Sequence, residues 1–314
     1  MDFGSAVKDL GSGSLRFVYS WILPSGLTVS LYFLFVAPNS VSSAVVQGTG
    51  TSWLAHASLI TVAVLTVAIT VGLLNFPIYR FLEGYTMPRW LARRMRRRQL
   101  RRRRRLSVLA HRGIELAAEE LDLYPEHSAD VLPTRLGNGH RAFERYGVNR
   151  FGLDSQALWY ELLAVAPPVA RTEIDETRSP VDFFVSGVVH LTMLSTASFV
   201  TWCAAGGSAA FIVAVLSATL VPAAYYGAVR NLGDYASAVR ALVNLGRPAL
   251  AQALGLQLPP TACLEREMWE AATALVQWHE NGALLFGRLD QFRIQTPIVQ
   301  NGAGAVDRAS QPAS

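Results

Sequence analysis

Apolar and polar positions alternate along this chain in long blocks rather than at the short periods of a soluble fold. From Arg16 to about Pro38 runs FVYSWILPSGLTVSLYFLFVAP, and from Trp53 to Tyr79 a second apolar stretch of similar character. Two more follow late in the chain, about Phe183–Ala204 and Ala209–Val229, separated only by the uncharged Gly206-Gly207-Ser208. At about 1.5 Å per residue each is long enough to cross a hydrocarbon core of roughly 30 Å. The pattern predicts an all-α polytopic membrane protein with four transmembrane helices in two hairpins and a helical cytoplasmic region. Pro77 and Pro222 fall near the cytoplasmic ends of the second and fourth spans, where a missing N–H and a ring clash are expected to bend or end the helix.

The polar blocks between the spans carry helical periods of their own. Leu106, Leu109, Ile114, Leu116, Leu121 and Leu123 interleave with Glu115, Glu119, Glu120 and Asp122 as an imperfect amphipathic helix ended by Tyr124-Pro125. Leu132–Asn138 is rich in turn formers and predicts a loop, with helices over Gly139–Tyr146 and Ser155–Val165, the latter broken by Pro167-Pro168. Val169–Arg178 predicts a short charged helix, after which Ser179-Pro180 reads as the cap and first turn of the third span. Asp234–Leu254 and Glu265–Phe286 predict two further helices. The resulting organisation is a cytoplasmic N-terminal tail (1–15), a first hairpin (16–79), a cytoplasmic insert (80–181), a second hairpin (182–229), C-terminal helices (230–294) and a disordered tail (295–314).

Charge fixes the orientation. Between residues 93 and 105 stand ten arginines in thirteen positions: Arg93, Arg94, Arg96, Arg97, Arg98, Arg101, Arg102, Arg103, Arg104 and Arg105. With a formal net charge of +5 for the whole chain, the remainder is net negative. Basic excess marks the cytoplasmic side of a span, and both predicted external loops are uncharged, so the sequence predicts a multi-pass protein of the bacterial cytoplasmic membrane with both termini inside. Near an anionic leaflet each arginine contributes on the order of 1 kcal/mol, which makes anionic membrane lipids the expected partner of this block. Nucleic acid is disfavoured, because only Trp90 supplies an aromatic nearby.

Candidate chemistry is sparse. His190 is the ionisable residue placed well inside a span, on a helix that also carries Ser186, Thr192, Ser195, Thr196 and Thr201. Such a polar stripe either packs against a neighbouring helix or lines a water-filled path. Pro133–Asn138 with His140, Arg141, Glu144 and Arg145 is either a ligand loop or a turn braced by local ion pairs. His127, His140, Glu115 and Asp130 lack metal-site spacing, no HExxH, GxSxG or phosphate-cradling glycine pattern occurs, and the chain predicts neither metal, cofactor nor enzymatic activity.

The strings PTRLGN at 133–138, RYG at 145–147 and the late Pro259-Pro260, Glu265-Arg266-Glu267 and Trp269 resemble a family of uncharacterised bacterial four-span integral membrane proteins. That resemblance implies a shared fold over roughly residues 75–280 and supplies no activity. The expected function is therefore a membrane anchor, scaffold or accessory subunit, self-associating or docked to a protein partner through its cytoplasmic helices. The alternative is a homo-oligomeric pore whose third span lines the path.

Overall fold

The structure, a computed structural model, describes residues 18–37, 53–277 and 287–294. The N-terminal tail, the loop predicted to be external after the first span, the end of the last predicted helix and the C-terminal tail lie outside the described residues. Within them the chain is all-helical, apart from one isolated bridge between Leu256 and Arg293.

Three helices are long and apolar enough to cross a membrane: α1 (Val18–Val36), α9 (Pro168–Ala205) and α10 (Ser208–Ala253). The second apolar stretch is broken. α2 (Trp53–Leu73) and α3 (Asn75–Glu83) meet at Leu74 with a 58° bend between them. Pro77 causes this break. It cannot donate to the carbonyl of Leu73, and its ring crowds that carbonyl, so the ladder stops there and Pro77 falls within the first turn of a new helix, where proline is tolerated. The bend foreseen from Pro77 is present, three residues upstream of the proline itself.

Two expectations are corrected at the other hairpin. Ser179-Pro180 does not start a new helix, because α9 runs unbroken through it for 38 residues. Likewise Pro222 does not end the fourth apolar stretch, since α10 continues for 46 residues with Pro222 and Pro248 both inside it. The predicted helices at 169–178 and 234–254 are thus the ends of the two long ones. At 1.5 Å per residue these helices measure about 57 and 69 Å, roughly twice the length that a crossing requires. Gly206 and Gly207, both at positive φ, turn α9 back onto α10 so that the two run antiparallel.

The excess length is the scaffold of a helical body. Val181 and Val185 of α9 and Ala228, Leu232, Val239, Leu242, Val243 and Leu250 of α10 are buried in a single core. Onto it pack α6 (Arg135–Glu144), α7 (Tyr146–Phe151), α8 (Trp159–Val165) and α11 (Ala262–Gln277). Trp269 of α11 is fully buried there, its indole N–H donating to Glu265 at 3.1 Å. Glu265 in turn pairs with Arg247, whose guanidinium lies 3.8 Å over the Phe151 ring. Apart from this body, α4 (Arg89–His111) and α5 (Glu115–Asp122) form a hairpin about Gly113, with a small core of Leu106, Ala117 and Tyr124. The sequence pattern predicted one helix across this turn.

The PTRLGN string is helical from Arg135 onward, not a loop. Thr134 caps α6 by accepting from the Gly137 N–H at 3.0 Å. Asn138, fully buried, accepts from the Leu132 N–H (2.7 Å) and donates to the carbonyls of Leu132 (3.0 Å) and Thr134 (2.7 Å), which closes the preceding turn. Its side-chain polar atoms are thereby satisfied. Gly137 sits against α3 so closely that an added Cβ would lie 2.3 Å from the Glu83 carbonyl oxygen. α3 ends beside this contact at Gly84, φ +94°, whose left-handed backbone turns the chain past Pro133.

Candidate functional site

Arginines at helical spacing divide α4 into two faces with different partners. Arg93, Arg94, Arg97, Arg98, Arg101, Arg104 and Arg105 are exposed, at intervals that place them on one side of the helix. Trp90, 70% exposed, precedes Arg94 by four residues and shares that side. The other three arginines turn inward. Arg96 donates to the carbonyls of Val131 (2.8 Å), Ala129 (2.9 Å) and Ser128 (3.2 Å). Arg102 pairs with Glu120 at 2.8 Å, and Arg103 donates to the carbonyls of Pro125 and Glu126. Hence the block holds two functions in one helix, a cationic outer face and an inner face that ties α4 to the turn before α6. The sequence reading assigned all ten to lipid; three of them brace the fold.

The hydroxylated stripe of α9 is packed only in part. His190 is 1% exposed, its Nδ1 donates to the Ser186 carbonyl oxygen at 2.8 Å, and its Nε2 lies 2.8 Å from the Ser25 hydroxyl of α1. Ser186 and Thr201 are buried, and Ser195 donates across to the Ala214 carbonyl of α10 at 3.0 Å. Thr192 and Thr196 face outward, each hydroxyl donating to the carbonyl four residues before it. The stripe is thus split between contacts to α1 and α10 and an outer face.

Of one polar cluster the sequence singled out only His140 and Glu144, because its members come from five separate elements. A cleft of about 370 Å³ is lined by Asn75, Tyr79, Arg80 and Glu83 of α3, His140 and Glu144 of α6, Trp159 of α8, Arg178 of α9 and Tyr235 of α10. Behind this lining Asp182, 1% exposed, accepts from the Tyr79 hydroxyl at 2.5 Å and lies 3.5 Å from Arg178. On the α6 side His140 Nδ1 is 3.2 Å from the Leu136 carbonyl oxygen and 3.4 Å from Glu83. Burial pushes the His140 imidazole down to about 4, so it is neutral at pH 7. Past Arg80, against the body, burial and the neighbouring Glu144 charge push the Glu83 carboxyl up to about 7. Glu144 is also raised by burial, against the pull of Arg141 3.7 Å away.

A larger groove, about 660 Å³, separates the α4–α5 hairpin from the body between Arg103, Asp122, Tyr124, Tyr146, Arg150 and Arg240. Among the described residues no group of three or more His, Cys, Asp or Glu is placed to hold a metal ion. Neither a family model, a curated protein nor a solved structure matches this chain.

Proposed function

We propose that this chain is a non-enzymatic integral membrane protein, an anchor or scaffold that fixes a helical body at the cytoplasmic face of a bacterial membrane and presents it to a partner or to a second copy. The four apolar segments are its crossings, with α2 and the first turn of α3 as the bent one and both termini inside. The observation that carries this reading is the continuity of α9 and α10 from their apolar halves into the body, with one core spanning the transition. A mount of this kind transmits position and leaves little freedom between crossing and body. The seven outward arginines of α4 and Trp90 then rest against anionic headgroups, where such rings and charges are favoured. Exposed apolar side chains, Tyr160 (83%) and Leu245 (75%) on the body and Leu116 (74%) on the α4–α5 hairpin, supply surface for docking.

The pore reading is less well supported, since His190, its key residue, has both ring nitrogens engaged in helix packing. Liposomes reconstituted with the full chain distinguish the two. The anchor reading expects ion flux equal to that of protein-free liposomes. Flux that changes on His190→Ala would replace it with the pore.

A further inference from the structure

Apolar side chains stand exposed where the α4–α5 hairpin turns. Val108 (53%), Ile114 (44%) and Leu116 lie on either side of Gly113, and the Leu109 carbonyl accepts the Ile114 N–H at 3.2 Å, which gathers them at one tip. A shallow hollow of about 360 Å³ opens there between Val108, Leu109 and the stems of Arg104 and Arg105. Two points along α4 place this hairpin beside the apolar segments. α4 starts shortly after α3, the end of the bent one, with Trp90 in its first turn. Farther on, Arg102 pairs with Glu120 (2.8 Å), Glu120 lies 3.6 Å from Arg135, and the Arg135 guanidinium lies 6.0 Å from the Tyr226 ring centroid, near the end of the apolar part of α10. Trp90 and Arg102 are about 18 Å apart along the axis, so a helix fixed beside both ends lies along the surface they define and does not project from it. By helical spacing Arg98, Arg105 and Leu109 share the side of α4 that carries Arg102, and Leu116 shares the side of α5 that carries Glu120. Leu109 and Leu116 therefore flank the chain of contacts that ends on Tyr226. Exposed apolar groups bordered by arginines at such a level match an anionic leaflet, where guanidiniums settle on phosphates and apolar side chains pass beneath them.

We propose that the tip of the α4–α5 hairpin inserts into an anionic lipid leaflet: Val108, Leu109, Ile114 and Leu116 enter about 5–10 Å into the boundary between headgroups and acyl chains, while Arg104, Arg105 and Arg112 hold the phosphates around them. This rests on the membrane reading given above, and it adds to the cationic contact of α4 an apolar one made partly by a second helix. Glu115 and Glu119, the acidic groups beside the tip, are exposed and stay at the water boundary, outnumbered by the three arginines.

The experiment is spin labelling of the full chain in nanodiscs of phosphatidylcholine mixed with phosphatidylglycerol. Val108→Cys, Leu116→Cys and, as a reference on the body, Leu245→Cys are each made with Cys203→Ser and Cys263→Ser, because both native thiols are exposed. All three labelled positions are exposed, so the small hairpin core of Leu106, Ala117 and Tyr124 is left intact. Collisions are read with oxygen, which concentrates among acyl chains, and with a water-soluble nickel chelate. The labels at Val108→Cys and Leu116→Cys are expected to show about fivefold fewer chelate collisions than the one at Leu245→Cys while keeping their oxygen collisions. In phosphatidylcholine alone the chelate collisions return, because the arginines then meet no net negative charge. Tip labels open to the chelate in both lipids would overturn the insertion. Amide-exchange protection of α4 in that same anionic sample would show that the arginine contact survives this failure, and its absence that the contact fails too. Shielding from both reagents would overturn the proposal in favour of a protein cover, and equal shielding in both lipids would overturn the part given to charge.

Discussion

Glu83 and His140 should make stability insensitive to pH as a pair and sensitive to it once separated. In the unfolded chain the carboxyl titrates near 4.5 and the imidazole near 6.5, so between those values the two groups together hold one proton, on the histidine. In the folded chain Glu83 titrates at about 7 and His140 at about 4, so over the same interval the pair again holds one proton, now on the carboxyl. Equal proton counts mean no slope. That conclusion holds wherever the proton sits in the pair, since a carboxylate facing an imidazolium has the same count.

Glu83→Gln removes this cancellation. What remains is a histidine whose folded value lies below its unfolded one, so the unfolded state takes up a proton that the folded state refuses. Its stabilising contribution is complete above pH 6.5 and is lost as pH falls toward 4. Over the two pH units from 6.5 to 4.5 the loss approaches about 2.7 kcal/mol at 1.36 kcal/mol per unit, and about 1–2 kcal/mol after relaxation of the site. His140→Gln leaves the opposite case, a carboxyl with a raised folded value, whose variant loses stability as pH rises from 4.5 to 7. Glu144, Arg80, Arg141, Arg178 and Asp182 surround the pair and are retained in all three proteins, so differences between profiles report on Glu83 and His140 and on the coupling of Glu83 to Glu144. The assay is the thermal midpoint of the full chain in neutral detergent, followed by tryptophan fluorescence between pH 4.5 and 7. A kilocalorie corresponds to roughly 2–4 °C at this size, so Glu83→Gln should drop by on the order of 5 °C relative to wild type on acidification. Parallel profiles for wild type and both variants would refute the proton accounting.

Three further perturbations test other contacts. Gly137→Ala forces a methyl to within 2.3 Å of the Glu83 carbonyl oxygen, which is backbone and cannot swing away; a loss of about 1–3 kcal/mol is expected in thermal midpoint, and an unchanged midpoint would mean that α3 and α6 do not meet as described. Ser25→Ala leaves His190 Nε2 buried without its partner and should cost about 1–3 kcal/mol by the same measurement, with wild-type stability arguing that α1 does not dock on α9 through this pair. The two faces of α4 should separate cleanly. The triple change Arg97→Gln, Arg98→Gln and Arg101→Gln should shift the midpoint by less than about 0.5 kcal/mol yet abolish the amide-exchange protection of α4 that anionic nanodiscs confer at low salt, whereas Arg96→Gln, which strips three carbonyls of their donor, should destabilise with or without lipid.

The apolar blocks were legible because membrane-length hydrophobicity is a property of the local sequence alone. So was the role of Pro77, whose clash acts on the carbonyl four residues back whatever else surrounds it. The structural reading of Pro133–Asn138 was legible in kind, with Thr134 and Asn138 acting as cap and turn brace, although the helix begins inside that string and not after it. The cleft was not legible. Asn75, His140, Trp159, Arg178 and Tyr235 are separated by up to 160 positions, and no period or motif links them. Nor was the division of the arginines, since ten identical side chains give no hint that Arg96, Arg102 and Arg103 meet carbonyls and a carboxylate supplied from residues 120–131.

The prolines of the second hairpin show why a local rule that succeeds at Pro77 fails at Pro180 and Pro222. An interior proline forfeits one hydrogen bond and crowds one carbonyl, a penalty of about 3 kcal/mol. At Leu74 nothing opposes a break, because Leu73, Leu74 and Phe76 are all exposed around it. Beside Pro180 stand Val181, Asp182 and Val185, all buried against α10 or α3, and beyond Pro222 stand Ala224, Ala228, Val229 and Leu232. Burying a single Val or Leu contributes about 1.5–3 kcal/mol, so two or three such residues in register outweigh one proline. A kink at either site would lift the whole distal half of its helix from the core, and the register of the long pair is held by those residues collectively. The continuity that mounts the body on its crossings is therefore a product of packing on both sides of each proline, which a reading of helix breakers one at a time cannot contain.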